Sequence, residues 1–104
     1  MRDWSGRFGD LLRELREENG VGIKTLAPHL GVGYTYLSKL ENGRSVPSDE
    51  LIKRIAEYFG CDPDQLYLSA DKLPPDLVDV IKRQPIESLR LLRSLDPNAK
   101  RSDR

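Results

Sequence analysis

The chain has 104 residues, 17 basic and 17 acidic side chains, 38% hydrophobic content and no net charge, which leaves room for one core and a short appendage and excludes a disordered chain. No apolar run approaches the roughly 18 residues of a membrane span, and Met1 leads into Arg2-Asp3-Trp4 instead of an apolar signal core, so a cytoplasmic protein without membrane contact is expected. One cysteine, Cys61, and one histidine, His29, cannot build a disulfide, a Cys/His zinc site or a plausible hydrolytic triad. No Walker or dinucleotide glycine pattern is present, so no cofactor and no metal are expected and binding is favoured over catalysis.

In chain order, Phe8, Leu11, Leu12 and Leu15 fall at i, i+3, i+4 and i+7 on a first helix that Ser5 can cap and Asn19-Gly20 stops. Ile23, Leu26, Ala27 and Leu30 repeat the pattern on a second, short helix closed by Gly31. Pro28 conflicts with it, since an interior proline costs about 3 kcal/mol, but Leu26, Ala27 and Leu30 need a buried face and the helix is kept. Leu37 and Leu40 define a third helix over residues 34–42, closed by Gly43. Ser48 caps a fourth carrying Leu51, Ile52, Ile55, Ala56 and Phe59, which Gly60 ends. Asp62-Pro63 opens a fifth through Leu66 and on toward Leu68. No segment alternates with period two, so the expected fold is all-α.

Beyond residue 68 the texture changes. Residues 69–73 read as a linker, and Pro74-Pro75 starts a helix with Leu77, Val80 and Ile81 apolar. Pro85 opens another with Ile86, Leu89, Leu92 and Leu95, and Pro97 ends it. The expected organisation is a domain over 1–68, a linker over 69–73, C-terminal helices over 74–96 and a polar, disordered tail over 97–104. Two short amphipathic helices cannot bury their own apolar rows. Leu77, Val80, Ile81, Leu89, Leu92 and Leu95 are therefore expected at a dimer interface, the alternative being that they fold back onto helix five.

The informative segment is 21–43, VGIKTLAPHLGVGYTYLSKLENG. Two helices of about eight residues are joined by Gly31-Val32-Gly33, a turn short enough to hold them at a steep angle, as in a helix-turn-helix that sets its second helix in the DNA major groove. With Leu26-Ala27, Leu30-Gly31-Val32, Leu37-Ser38-Lys39-Leu40-Glu41-Asn42-Gly43, Pro47, Ile55-Ala56 and Phe59-Gly60 in this order and spacing, the chain resembles the Cro/phage-repressor-type (XRE) family over residues 8–68. The resemblance implies a five-helix, lambda-repressor-like domain with residues 34–42 as recognition helix.

On that resemblance Tyr34, Thr35, Ser38 and Lys39 read base edges: Lys39 can donate to guanine, Ser38 and Thr35 can donate or accept, and the Thr35 methyl can meet thymine. Asn42, Arg44 and Ser45, just past the helix, suit phosphate contact, as does Lys24. The resemblance also pairs Arg16 with Glu41, tying helix one to the recognition helix. Tyr36 is left open between packing and DNA contact. His29 reads as a surface helix residue, Cys61 as a buried small apolar one and Trp4 as an N-terminal packing residue. One departure matters: where the family carries a small polar cap and then Gln at the start of helix two, this chain has Gly22 and Ile23. The side-chain phosphate clamp is absent, which shifts weight to Lys24 and Arg44.

Charge is unevenly spread. Residues 21–48 carry Lys24, Lys39 and Arg44 against Glu41, whereas residues 49–68 carry Lys53 and Arg54 against Asp49, Glu50, Glu57, Asp62 and Asp64. This orients an approaching duplex, though the positive excess is modest and affinity should rest on dimerisation. The expected function is a sequence-specific, double-stranded-DNA-binding transcriptional regulator, in sense a repressor, acting as a homodimer on an inverted repeat. The alternative is a protein-interaction module, such as an antitoxin or a partner-controlled regulator, docking through residues 74–95.

Overall fold

The computed structural model describes residues 6–96 and Asn98. Ser5 as a helix cap, Trp4 as a packing residue and the polar tail apart from Asn98 lie outside the described residues. Seven helices run through the rest, with no strand among the described residues: α1 (Phe8–Glu18), α2 (Ile23–Leu30), α3 (Tyr34–Glu41), α4 (Asp49–Phe59), α5 (Pro63–Ser69), α6 (Pro75–Arg83) and α7 (Pro85–Ser94). Two units follow, divided between Leu73 and Pro74.

In the first unit every helix contributes to one core. Leu12, Leu26, Leu30, Leu37, Leu40, Ile52, Ile55 and Leu66 are fully buried, with Phe8, Leu11, Leu51, Ala56 and Tyr67 beside them. α1 packs on α3 and α5, α2 on α3 and α4, and α4 on α5. The helix ends follow local chemistry. Ser48 Oγ accepts from the Leu51 N–H and Asp62 accepts from the Asp64 N–H, so two orphan donors are satisfied by side chains. α1 starts at Arg7 without a side-chain cap.

α2 continues through Pro28. Lys24 and Pro28 are both exposed, so the carbonyl deprived of its partner sits on the wet side of the helix. Leu26 and Leu30, at 0% and 1% exposure, contribute roughly 1.5–3 kcal/mol each, which offsets the proline penalty of about 3. His29 is exposed; its Nδ1 lies 2.9 Å from the Thr25 carbonyl and must carry the proton, since a carbonyl only accepts.

Two readings change. Residues 69–73 belong to the five-helix unit instead of forming a linker. Ser69 is the last residue of α5, fully buried, and donates its Oγ–H to the Leu66 carbonyl at 2.8 Å. Asp71, in the left-handed region at φ 58°, accepts from the Gly6 N–H at 3.1 Å, and Lys72 Nζ donates to the Pro47 carbonyl at 2.8 Å and to Asp49 at 3.2 Å. A polar composition hid these ties: that of Ser69 is local but buried, and those of Asp71 and Lys72 are made to residues distant in sequence. Cys61 is half-buried, not buried, and burial pushes its thiol pKa up.

The second unit is built differently. α6 and α7 are joined by Gln84 alone and touch one another, yet neither buries a residue. Leu77, Val80, Ile86, Leu89, Leu91, Leu92 and Leu95 are 39–76% exposed, and Ile81 is half-buried. No helix among the described residues is long and apolar enough to cross a membrane.

Candidate nucleic-acid interface

The geometry of α2 and α3 is set by the turn between them. Gly31 closes α2 at φ 71°, a left-handed conformation that side chains rarely adopt, and its N–H reaches the Ala27 and Pro28 carbonyls. The Val32 N–H also returns to the Ala27 carbonyl at 3.0 Å, while Val32 itself packs on the core. Gly33 is already extended and starts α3, accepting from the Leu37 N–H. From α4, Arg54 Nη1 donates to the Leu30 carbonyl at 3.1 Å and Nη2 to Glu50 at 2.8 Å, sealing the end of α2.

This scaffold buries Leu37 and Leu40 and turns another face of α3 outward. Tyr34, Thr35 and Lys39 are exposed and Ser38 is half-buried, at i, i+1, i+4 and i+5, so the four candidate base readers share one strip. Tyr36 packs half-buried against the core and its hydroxyl reaches the Val46 carbonyl at 3.5 Å. Lys24, Asn42 and Arg44 are exposed and Ser45 half-buried, on or near the ends of the same two helices. Gly22 caps α2 without any side-chain bond.

The C-terminal end of α3 is held to α1 by a buried carboxylate. Glu41, with its side chain only 2% exposed, accepts from Arg16 Nε at 2.6 Å and Nη2 at 3.1 Å, a two-pronged pair, and Arg16 Nη1 also donates to the Val21 carbonyl at 3.2 Å. Hydrogen bonding to Glu41 raises the Arg16 pKa further, so that guanidinium keeps its charge. Gly9 lets the two helices approach: a Cβ there would lie 2.5 Å from the Glu41 carbonyl oxygen and 2.7 Å from that of Leu40.

A second arginine joins this cluster that sequence reasoning did not single out. Arg13 Nε lies 3.4 Å from Glu41 Oε1 and Nη2 lies 3.3 Å from Asn42 Oδ1. Its signal was its place three residues before Arg16, one turn earlier on the same side of α1. α3 ends at Glu41 with Asn42 as its cap, one residue short of the expected end. The N–H groups of Asn42, Gly43 and Arg44 are spent on the carbonyls of Ser38, Leu40 and Lys39. Among the described residues no group of three His, Cys, Asp or Glu side chains could hold a metal ion.

Two helices held at a three-residue turn, with one strip of the second turned outward, define a helix-turn-helix domain. A family model described as a helix-turn-helix domain matches residues 7–67, and the chain belongs to that family, in its Cro/phage-repressor branch.

Relatives agree with this placement. The chain is 36% identical over 78 residues to the HTH-type transcriptional regulator DdrOP3 of Deinococcus deserti, covering 67% of this chain and 60% of that protein. It is 45% identical over 51 residues to the HTH-type transcriptional repressor RghR of Bacillus subtilis, covering 48% of this chain and 38% of that one. The chain thus spans under two thirds of the length of both. The crystal structure of the clp gene regulator ClgR from Corynebacterium glutamicum is similar at a TM-score of 0.56 and 26% identity, over 89% of this chain and 94% of that one. That span is longer than the five-helix unit alone.

Proposed function

We propose that the protein is a sequence-specific, double-stranded-DNA-binding transcriptional regulator, acting in the cytoplasm as a homodimeric repressor on an inverted repeat. The observation that carries this reading is the outward strip of α3, in which Tyr34, Thr35, Ser38 and Lys39 stand opposite the buried Leu37 and Leu40. A major groove about 12 Å wide admits one helix, whose outward side chains then meet base edges. Lys39 supplies a donor for guanine, Thr35 and Ser38 supply hydroxyls, and Tyr34 supplies a ring and a hydroxyl. Lys24, Asn42, Arg44 and Ser45 contact phosphates and set the register, and the Arg16–Glu41 pair holds the recognition helix to α1. The names of the relatives, a transcriptional regulator and a transcriptional repressor, support the same reading.

The dimer forms through α6 and α7 in this proposal. Their exposed row of Leu77, Val80, Leu89, Leu92 and Leu95, with the half-buried Ile81, needs cover on a chain without net charge to keep copies apart. α6 carries Asp76 in its first turn and Lys82 and Arg83 in its last, and α7 carries Glu87 in its first turn and Arg93 in its last, so a second copy laid antiparallel offers opposite charge to each helix. Two recognition helices then read one face of the duplex about 34 Å apart. The same row favours a second reading, a docking surface for a regulatory protein, in which case the chain alone sediments as a monomer.

The test is a pair of substitutions measured on the preferred duplex. Lys39→Ala should cost about 1–3 kcal/mol there and relax preference at one position, whereas Arg44→Ala should weaken all duplexes alike and shallow the salt slope by about one. Equal, sequence-blind losses from both would remove Lys39 as a reader.

A further inference from the structure

We infer that Arg13 is a positioning residue for DNA, which turns the Asn42 side-chain amide so that its N–H groups face a phosphate. The inference rests on the proposed phosphate role of Asn42. A phosphate accepts hydrogen bonds and cannot donate them when fully ionised, so it must be met by donors. Past the end of α3 the backbone has few to offer, because the N–H groups of Asn42, Gly43 and Arg44 already close the helix on Ser38, Leu40 and Lys39. The donors that remain there on these three residues are the Asn42 amide and the Arg44 guanidinium.

An asparagine amide is two-faced. It can present Nδ2, with two donors, or Oδ1, which repels a phosphate oxygen. A guanidinium has donors only, so the Asn42 atom 3.3 Å from Arg13 Nη2 must be the carbonyl oxygen. Nδ2 is then directed away from Arg13, on an exposed residue. Arg13 is itself anchored, with Nε 3.4 Å from Glu41 Oε1, and Glu41 is fixed by the two-pronged bond from Arg16. One planar fork thus spans acceptors on consecutive residues, Glu41 and Asn42. A lysine ammonium keeps the charge but cannot reproduce that fork. Arg16 alone keeps the carboxylate paired, so the role of Arg13 is separable from holding the fold.

The experiment uses the full chain and a mixed-sequence duplex of about 30 base pairs, whose phosphates are the ligand, across a range of salt. Arg13→Lys should melt within about a degree or two of the parent, because the lysine keeps a positive charge beside Glu41 and Arg16 alone keeps that carboxylate paired, and bind roughly three- to tenfold more weakly. The slope of log affinity against log salt should stay unchanged, since an uncharged amide displaces no counterion. In an Asn42→Ala background the same substitution should have no further effect. Binding by Arg13→Lys at the parent's strength overturns the inference, as does an undiminished loss in the Asn42→Ala background. So does a slope made shallower by about one in Arg13→Gln and restored in Arg13→Lys, which would make Arg13 itself the phosphate ligand. Asn42→Ala binding as the parent does while Arg44→Ala binds weakly overturns the inference and leaves the DNA reading of α3 standing. A parent chain that binds no duplex even at low salt overturns both.

Discussion

The five-helix unit and the α6–α7 unit use the same amphipathic language to different ends. In α1 to α5 each apolar stripe meets others: eight aliphatic side chains have under 2% exposure, and even the buried carboxylate of Glu41 is met by two arginines. In α6 and α7 the stripes are as regular, yet no residue is buried. Helical periodicity therefore says which face seeks cover and nothing about where the cover comes from. A stripe that finds its partners inside the unit makes a domain. One that does not is material for an interface.

The largest effect that could break this contrast is deletion of the second unit. Truncation after Leu73 should leave a folded, cooperatively melting domain, because its core is internal, while dimerisation is lost and affinity for a two-half-site duplex falls about 10²- to 10⁴-fold. Sedimentation and a binding titration report both. A truncated chain still dimeric and equally tight would place the dimer contact in the five-helix unit and free α6–α7 for another partner.

The next concerns the tie that makes the first unit rigid. Arg16→Ala leaves the Glu41 carboxylate buried with Arg13 alone beside it, and should cost about 3 kcal/mol, toward the low end for a broken buried pair. A thermal melt that scarcely moves would mean the pair contributes no more than a surface one. Gly9→Ala probes the same junction sterically. The added methyl would meet the backbone of α3, forcing α1 away, at a cost of about 1–3 kcal/mol that outweighs the helix propensity gained, as chemical denaturation would show. The smallest effect has the opposite sign. Pro28→Ala restores an N–H to an exposed carbonyl partner and should stabilise by about 1 kcal/mol, less than the full penalty of about 3 because that carbonyl is already solvated and loss of the ring frees the unfolded chain, in a denaturation midpoint that rises without change of slope.

These residues also show what was legible in the sequence. Apolar spacing together with cap and proline signals, as at Asp62-Pro63, gives all seven helices, and Gly31 and Gly33 around Val32 mark the turn, because these are local constraints on a short stretch of chain. Gly9 was passed over in the sequence, although a residue of poor helix propensity inside a strong helical pattern is a signal; its reason is the close backbone of α3. Arg13, Arg54 and Lys72 act on atoms 29, 24 and 25 residues away, and no periodicity encodes such partners. Ser69 and Asp71 were mistaken for linker because polar residues that satisfy buried or turning backbone look, in composition, like solvated ones. The outward strip of α3 was legible as a wheel position. The orientation of the Asn42 amide was not, since it depends on Arg13 reaching it from another helix.

The contrast between the units is tested most directly by selecting bound sequences from a random duplex pool with the full chain and with residues 1–73 in parallel. The full chain should enrich an inverted repeat with half-site centres about 10–10.5 base pairs apart, one helical turn, and the truncated chain the same half-site singly and weakly. Enrichment of a lone half-site by the full chain, or of no sequence at all, would contradict a dimer that reads DNA through α3.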